Sequence, residues 1–146
     1  MAYSAWEREP VCFACNSECN VDKIISTCKE LSKGEEFAQV FRYSKDIEDR
    51  LLPAFLASVM RLREKSLHTK NLCNELMTIV AKARNVSDAV KKVGIKDGRK
   101  FIILCSDETI CKKFCEMTNA KLTLKIPLRL DTEVAELIAY ASTANP

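Results

Sequence analysis

Glycine, proline and histidine are scarce in this chain of 146 residues: three, four and one respectively. So few glycines and prolines leave little room for long flexible linkers. They also leave no glycine-rich loop to cradle a phosphate: the segment 94–98 (Gly-Ile-Lys-Asp-Gly) reads as a helix stop and a turn, and matches neither nucleotide fingerprint. A single histidine, His68, restricts any Cys–His or Ser–His nucleophile to one place, and nothing near it in sequence completes such a system. No paired carboxylates stand in a supporting context, so catalysis by this chain alone is not expected, and no cofactor is implied. No run nears the roughly 20 apolar residues that span a membrane as a helix. The first ten residues lack the basic start and apolar centre of a secretory signal, which places the expected home in the cytoplasm and nucleus. Charge of one sign is also missing. Twenty-three Lys and Arg against 20 Asp and Glu give a net charge of +3, which neither demands nor excludes nucleic acid.

What is present is the composition of a soluble globular protein, 47% hydrophobic and 29% charged, of a length that suits one domain over 1–146. Eight cysteines is a high count. Cys73, Cys105, Cys111 and Cys115 fall at apolar positions of expected helices and strands, where a reduced thiol packs as a small hydrophobe. Cys12, Cys15, Cys19 and Cys28 are the one metal-like cluster. Structural zinc wants two close ligand pairs brought together by loops. Here the second pair is missing and Cys12 and Cys15 fall on an expected strand, so a zinc-stabilised adaptor stands as the alternative and no metal ligand is assigned. Cys12 and Cys15 also have a redox-pair spacing, but the helix that would lower a thiol pKa starts several residues later.

The periodicity predicts the order β-α-β-α-α-α-β-α-β-α, an α+β (mixed α/β) domain with a small sheet covered by helices. The strands are 11–15, 37–43, 100–105 and 121–126. In the last, Leu122, Leu124 and Ile126 alternate with polar residues, so one face is expected to be wet. A helix opens at Asn20 or Asp22, with Ile24, Ile25, Cys28 and Leu31 inward, and ends near Gly34. The longest helix opens at Ser44 or Asp46 and runs to about Arg63, burying Ile47, Leu51, Leu52, Phe55, Leu56, Val59 and Met60. Pro53 means that it begins near Arg50 or kinks. Ser106 is read as the cap of a helix carrying Ile110, Phe114 and Met117 and ending at Asn119. Asp131 or Thr132 caps a last helix.

Residues 66–98 carry most of the functional information. Leu72, Leu76, Ile79, Val80 and Ala83 lie on one helical face. Asn85 caps a short helix whose stripe is Val86, Ala89, Val90 and Val93, and Lys91 and Lys92 suit its C-terminal dipole. Gly94 is expected to take the left-handed conformation that ends it. A basic linker with Thr69, then Glu75 followed by apolar residues, then a capped helix ending in Asp-Ala-Val-Lys-Lys-Val-Gly-Ile-Lys-Asp-Gly resembles the kinase-binding small subunit of the KEOPS complex, also described as the PRPK-binding protein family. The resemblance is specific over 46–105.

The resemblance implies a non-catalytic subunit that binds the small kinase-like ATPase of the complex, and other KEOPS subunits through it. It implies support for threonylcarbamoyladenosine modification of tRNA, with the tRNA 3′ CCA end as a contact, and telomere maintenance in some eukaryotes. Carried onto this chain, the expected tRNA contact is Arg63, Lys65, His68, Lys70 and Asn71, then Lys82 and Arg84. The expected kinase-binding residues are Met77, Val90 and Val93. The chain departs from the family pattern in its basic turn at 81–84, in its cysteine-rich start, and in lacking a further helix after 132–144.

Overall fold

A computed structural model describes residues 9–129, and it has the mixed α/β fold that the pattern implies. In chain order the elements are β1 (Val11–Asn16), α1 (Val21–Leu31), β2 (Ala38–Arg42), α2 (Lys45–Arg63), α3 (Leu72–Ala81), α4 (Val86–Val93), β3 (Phe101–Cys105), α5 (Glu108–Thr118) and β4 (Lys121–Lys125). The helix expected from Asp131 or Thr132 lies outside the described residues. The chain divides into two compact units.

One unit, residues 9–43 with Ile95–Pro127, is a sheet with two helices. Its four strands run antiparallel in the order β2-β3-β1-β4. The five apolar residues of β3 are all buried, which is why they form an unbroken run rather than an alternation. Ile24 and Cys28 of α1 and Ile110, Cys111 and Phe114 of α5 pack with Cys15, Val40 and Phe101 of the strands. Asn20 caps α1 by accepting from the Lys23 amide at 2.8 Å. The cap of α5 is Asp107, which accepts from the Ile110 amide at 2.9 Å, and not the expected Ser106. Ser106 extends the β2–β3 ladder instead: its amide donates to the Phe37 carbonyl at 3.0 Å, and its hydroxyl accepts from the Phe37 amide at 3.1 Å.

β4 departs from its simple alternation. All five of its residues are exposed, Leu122 and Leu124 among them, and only Ile126 beyond it is buried. β4 is an edge strand with a register shift between Ala14 and Cys15: Ala14 faces Leu124 while Cys15 faces Leu122, and the Thr123 hydroxyl donates to the Ala14 carbonyl at 3.0 Å. Two residues opposite one break the inward–outward alternation.

The second unit, Ser44–Gly94, is helical, and its chain is inserted between the paired strands β2 and β3. At the insertion point Arg42 faces Phe101, and Lys100 Nζ sits 3.9 Å from the centre of the Tyr43 ring, a cation–π contact between the two chain ends. α2 begins at Lys45, so Pro53 lies well inside it rather than in its first turn. α3 is the central helix, packed against both α2 and α4, and it is buried from Glu75 to Ala81. A helix enclosed in that way is apolar on most sides. The outer helices show more apolar surface than the periodicity implies. Leu56 and Met60 of α2 are 37% and 51% exposed, and Val90 of α4 is 46% exposed. In the short α4 only Ala89 and Val93 are buried, so the inward stripe is one residue wide.

Gly94 ends α4 for a reason other than left-handedness. Its φ is −68°, and a Cβ there would stand 2.4 Å from the Val90 carbonyl oxygen. The helix stop therefore needs glycine for space. Gly94→Ala is expected to destabilise the protein by about 1–3 kcal/mol, read as a lower urea midpoint. An unchanged midpoint would mean that the chain relaxes around the methyl group without cost.

Candidate functional site

The linker from the end of α2 to the start of α3 holds five of the expected RNA-contact residues, and it is built around one buried carboxylate. Glu75 lies in the first turn of α3 and is fully buried. Its Oε2 pairs with the Arg61 guanidinium, itself buried in the last turn of α2. Its Oε1 accepts from the backbone amides of His68 and Thr69, each at 3.0 Å, and from the Thr69 hydroxyl at 2.7 Å. Burial pushes the Glu75 pKa up, but the hydrogen bonds from Thr69 and Arg61 and the guanidinium charge outweigh it and hold the carboxyl below its usual range. Sequence reasoning marked Glu75 as part of the family pattern without giving it a task. Its partners lie 14, 7 and 6 residues away, too far for a local motif.

The rest of the linker is equally tied. α2 closes with paired hydrogen bonds from Lys65 N–H to the Leu62 carbonyl at 3.1 Å and from Ser66 N–H to the Arg61 carbonyl at 2.8 Å. That motif puts Lys65 in the left-handed region, at φ 56°, where glycine is the usual residue. α3 ends in the same way: Lys82 N–H donates to the Ile79 carbonyl and Ala83 N–H to the Thr78 carbonyl, with Lys82 at φ 53°. Asn71 caps α3 by accepting from the Asn74 amide at 2.9 Å, and Asn85 caps α4 by accepting from the Asp88 amide at 2.8 Å. Arg50 reaches from α2 to the Val80 carbonyl at 3.2 Å, placing a cation at the C-terminal end of α3.

Of the expected RNA-contact residues, Arg63, Lys65, His68, Lys70, Asn71 and Arg84 are exposed and Lys82 is half-buried. Arg63, Lys65, His68, Lys70 and Asn71 belong to the one linker region at the N-terminal side of α3, whereas Lys82 and Arg84 follow its other end. The expected kinase-binding residues divide. Met77 and Val93 are interior, 5% and 4% exposed, and Val90 is the one at the surface.

Seven of the eight cysteines lie in the sheet unit, and Cys73 lies on α3. Cys15, Cys28, Cys105 and Cys111 belong to one core cluster, and Cys19 donates its thiol to the Thr118 carbonyl at 3.2 Å. Among the described residues no three Cys, His, Asp or Glu side chains converge as a metal ligand set. Burial, with the neighbouring thiols Cys115, Cys111 and Cys12, pushes the Cys15 pKa well up. Its hydrogen bond with Cys105 takes Cys111 to about 12. An attacking thiol needs the opposite shift. An open depression of about 510 Å³ is lined by Asn16, Glu18, Cys115, Asn119, Ala120 and Lys121. The thiol in it, Cys115, is also pushed up, first by its hydrogen bond with Cys111.

Two measurements follow from these groups. At pH 8 the folded protein is expected to resist alkylation at Cys15, Cys105 and Cys111, all of which react once urea unfolds it. Rapid native labelling of Cys15, located by mass spectrometry, would restore the redox reading. Replacing Glu75 by Ala strands a buried guanidinium and is expected to cost about 3–5 kcal/mol. Because the Glu75 pKa is depressed on folding, its stabilisation is fully present above the ordinary value of 4.5 and is lost as pH falls through the depressed one. The difference in urea midpoint between wild type and Glu75→Gln should therefore be wide at pH 7 and narrow steadily below pH 4.5. A difference independent of pH would show that the charge of Glu75 is not what stabilises.

No curated protein matches the chain. A family model does: Kinase binding protein CGI-121 matches residues 47–139. The match takes in nearly all of α2, then α3 and α4 with their caps, and the Glu75-centred linker. With the match spanning well over half of the chain, this protein belongs to the CGI-121 family of kinase-binding proteins, whose role is accessory rather than catalytic.

Proposed function

We propose that this chain is the kinase-binding subunit of a KEOPS-type complex, docked on its small kinase-like ATPase and supporting threonylcarbamoyladenosine modification of tRNA in the cytoplasm and nucleus. The observation that carries the reading is the CGI-121 match over the whole helical unit from Ile47 onward. Exposed apolar side chains on the outer helices give it a physical basis. Val90 of α4, with Leu56 and Met60 of α2, offers apolar area that a protein partner would remove from water. Met77 and Val93 would then act through the core, by holding α3 and α4 in shape.

The second part of the reading is contact with the single-stranded 3′ CCA end of the tRNA. Exposed cations at Arg63, Lys65 and Lys70, with His68 and Asn71 beside them, suit a phosphate backbone, and Lys82 and Arg84 add charge at the far end of α3. Other subunits would be reached through the kinase.

The deciding experiment is co-purification with the cognate kinase-like subunit followed by size exclusion. A one-to-one complex is expected, with Val90→Asp and Met60→Asp weakening it by roughly tenfold or more while thermal unfolding is unchanged. Two folded proteins that elute apart would sink the kinase reading. Stoichiometric zinc, with loss of fold on chelation, would turn attention to Cys12, Cys15, Cys19 and Cys28.

A further inference from the structure

We infer that Glu75 is a positioning residue for RNA: by gripping the backbone at His68 and Thr69, it holds in one path the linker that carries the exposed Lys65 and Lys70, ready for the phosphates of a single strand. This rests on the RNA reading above and asks what makes the linker able to serve it.

A mobile basic loop attracts nucleic acid diffusely and loses conformational entropy when it binds, whereas a preordered one does not. This linker is preordered. Arg61 is held at both ends, with its guanidinium on Glu75 and its carbonyl taken by Ser66 N–H at 2.8 Å. The same carboxylate receives two successive amides and the Thr69 hydroxyl. Asn71 then fixes the first turn of α3. Between these ties stand Lys65 and Lys70, both with exposed side chains.

Lys65 stands in the left-handed turn that ends α2. Its φ of 56° is one at which glycine is less strained. Its side chain is exposed, so packing does not explain a lysine there. The same choice recurs at Lys82, with φ 53°, where α3 ends. Asn119 takes the same conformation after α5, at φ 54°, so the left-handed turn belongs to the helix ends, and the exposed charge of Lys65 is what a phosphate contact would use.

The test uses the full chain, a fluorescently labelled single-stranded RNA oligonucleotide and anisotropy at two salt concentrations. Thr69→Val removes one donor to Glu75 and leaves the buried ion pair in place. It is expected to lower the unfolding temperature by a few degrees while keeping the fold and co-elution with the kinase, to speed amide hydrogen exchange at residues 68 and 69, and to weaken RNA binding about tenfold. Thr69→Ser, which retains the hydroxyl, should restore binding. Lys65→Gly should weaken binding while raising the unfolding temperature, opposite movements that a purely structural role would not produce.

If Lys65→Gly and Lys70→Ala weaken binding but Thr69→Val and Glu75→Gln leave it at wild-type strength, the lysines act without Glu75 and the positioning role is overturned, with the RNA reading intact. If the lysine variants bind as wild type does, or the wild-type chain shows no salt-dependent RNA binding, the RNA reading fails and this inference fails with it. Should Glu75→Gln not fold, Thr69→Val and its serine rescue still decide between these outcomes.

Discussion

The Glu75 carboxylate is the interaction on which the helical unit depends. Moving a carboxylate out of water costs several kcal/mol even after relaxation, and Glu75 has no exposure at all. It stays charged because four donors converge on it: one guanidinium, two amides and one hydroxyl. Those donors come from the end of α2 and from the linker, so satisfying one charge also fixes the path between two helices. An apolar residue at position 75 would strand the Arg61 guanidinium and leave that path undefined. Arg61 and Glu75 together make the linker a part of the core rather than a loop over it.

The ends of α3 and α4 follow the same economy. Asn71 and Asn85 satisfy the first amides of their helices, and left-handed Lys65 and Lys82 turn the chain after α2 and α3. Gly94 closes α4 by lacking a side chain, not by adopting a left-handed turn. Short helices of eight and ten residues are marginal alone. Their caps and the burial of α3 on nearly every side hold them.

The sequence made much of this legible wherever the signal was local. The order of the described elements, the Asn20 and Asn85 caps, the buried run of β3 and the amphipathic α3 are each read within a window of a few residues. What was missed depended on distant partners. Ser106 looks like a cap until Phe37, 69 residues earlier, occupies it. Leu122 and Leu124 look inward, but β4 is an edge strand with a register shift against β1. Leu56, Met60 and Val90 fit the helical period of a buried face, yet periodicity sets only a direction around the axis and not how far the neighbouring helices reach. Pro53 left two readings, a start near Arg50 or a kink; α2 starts at Lys45, so the first is excluded, and tertiary packing outweighs the roughly 3 kcal/mol that a proline costs inside a helix.

The candidate site was legible by residue type and illegible by geometry. Five basic or polar residues in one linker are visible in any reading of 63–71. That Thr69 and the backbone at His68 serve a carboxylate, rather than a ligand, is not. Nor could the sequence separate Met77 and Val93 from Val90, since all three sit at apolar positions of amphipathic helices. The distinction matters for how binding residues are assigned in small helical units. A residue only 5% exposed, as Met77 is, influences a partner only through the shape of its helix. An exposed apolar residue beside it contributes area directly. In the proposed docking, the exposed Val90 of α4 and Met60 of α2 would supply contact area, and the core beneath them would set the shape on which that contact depends.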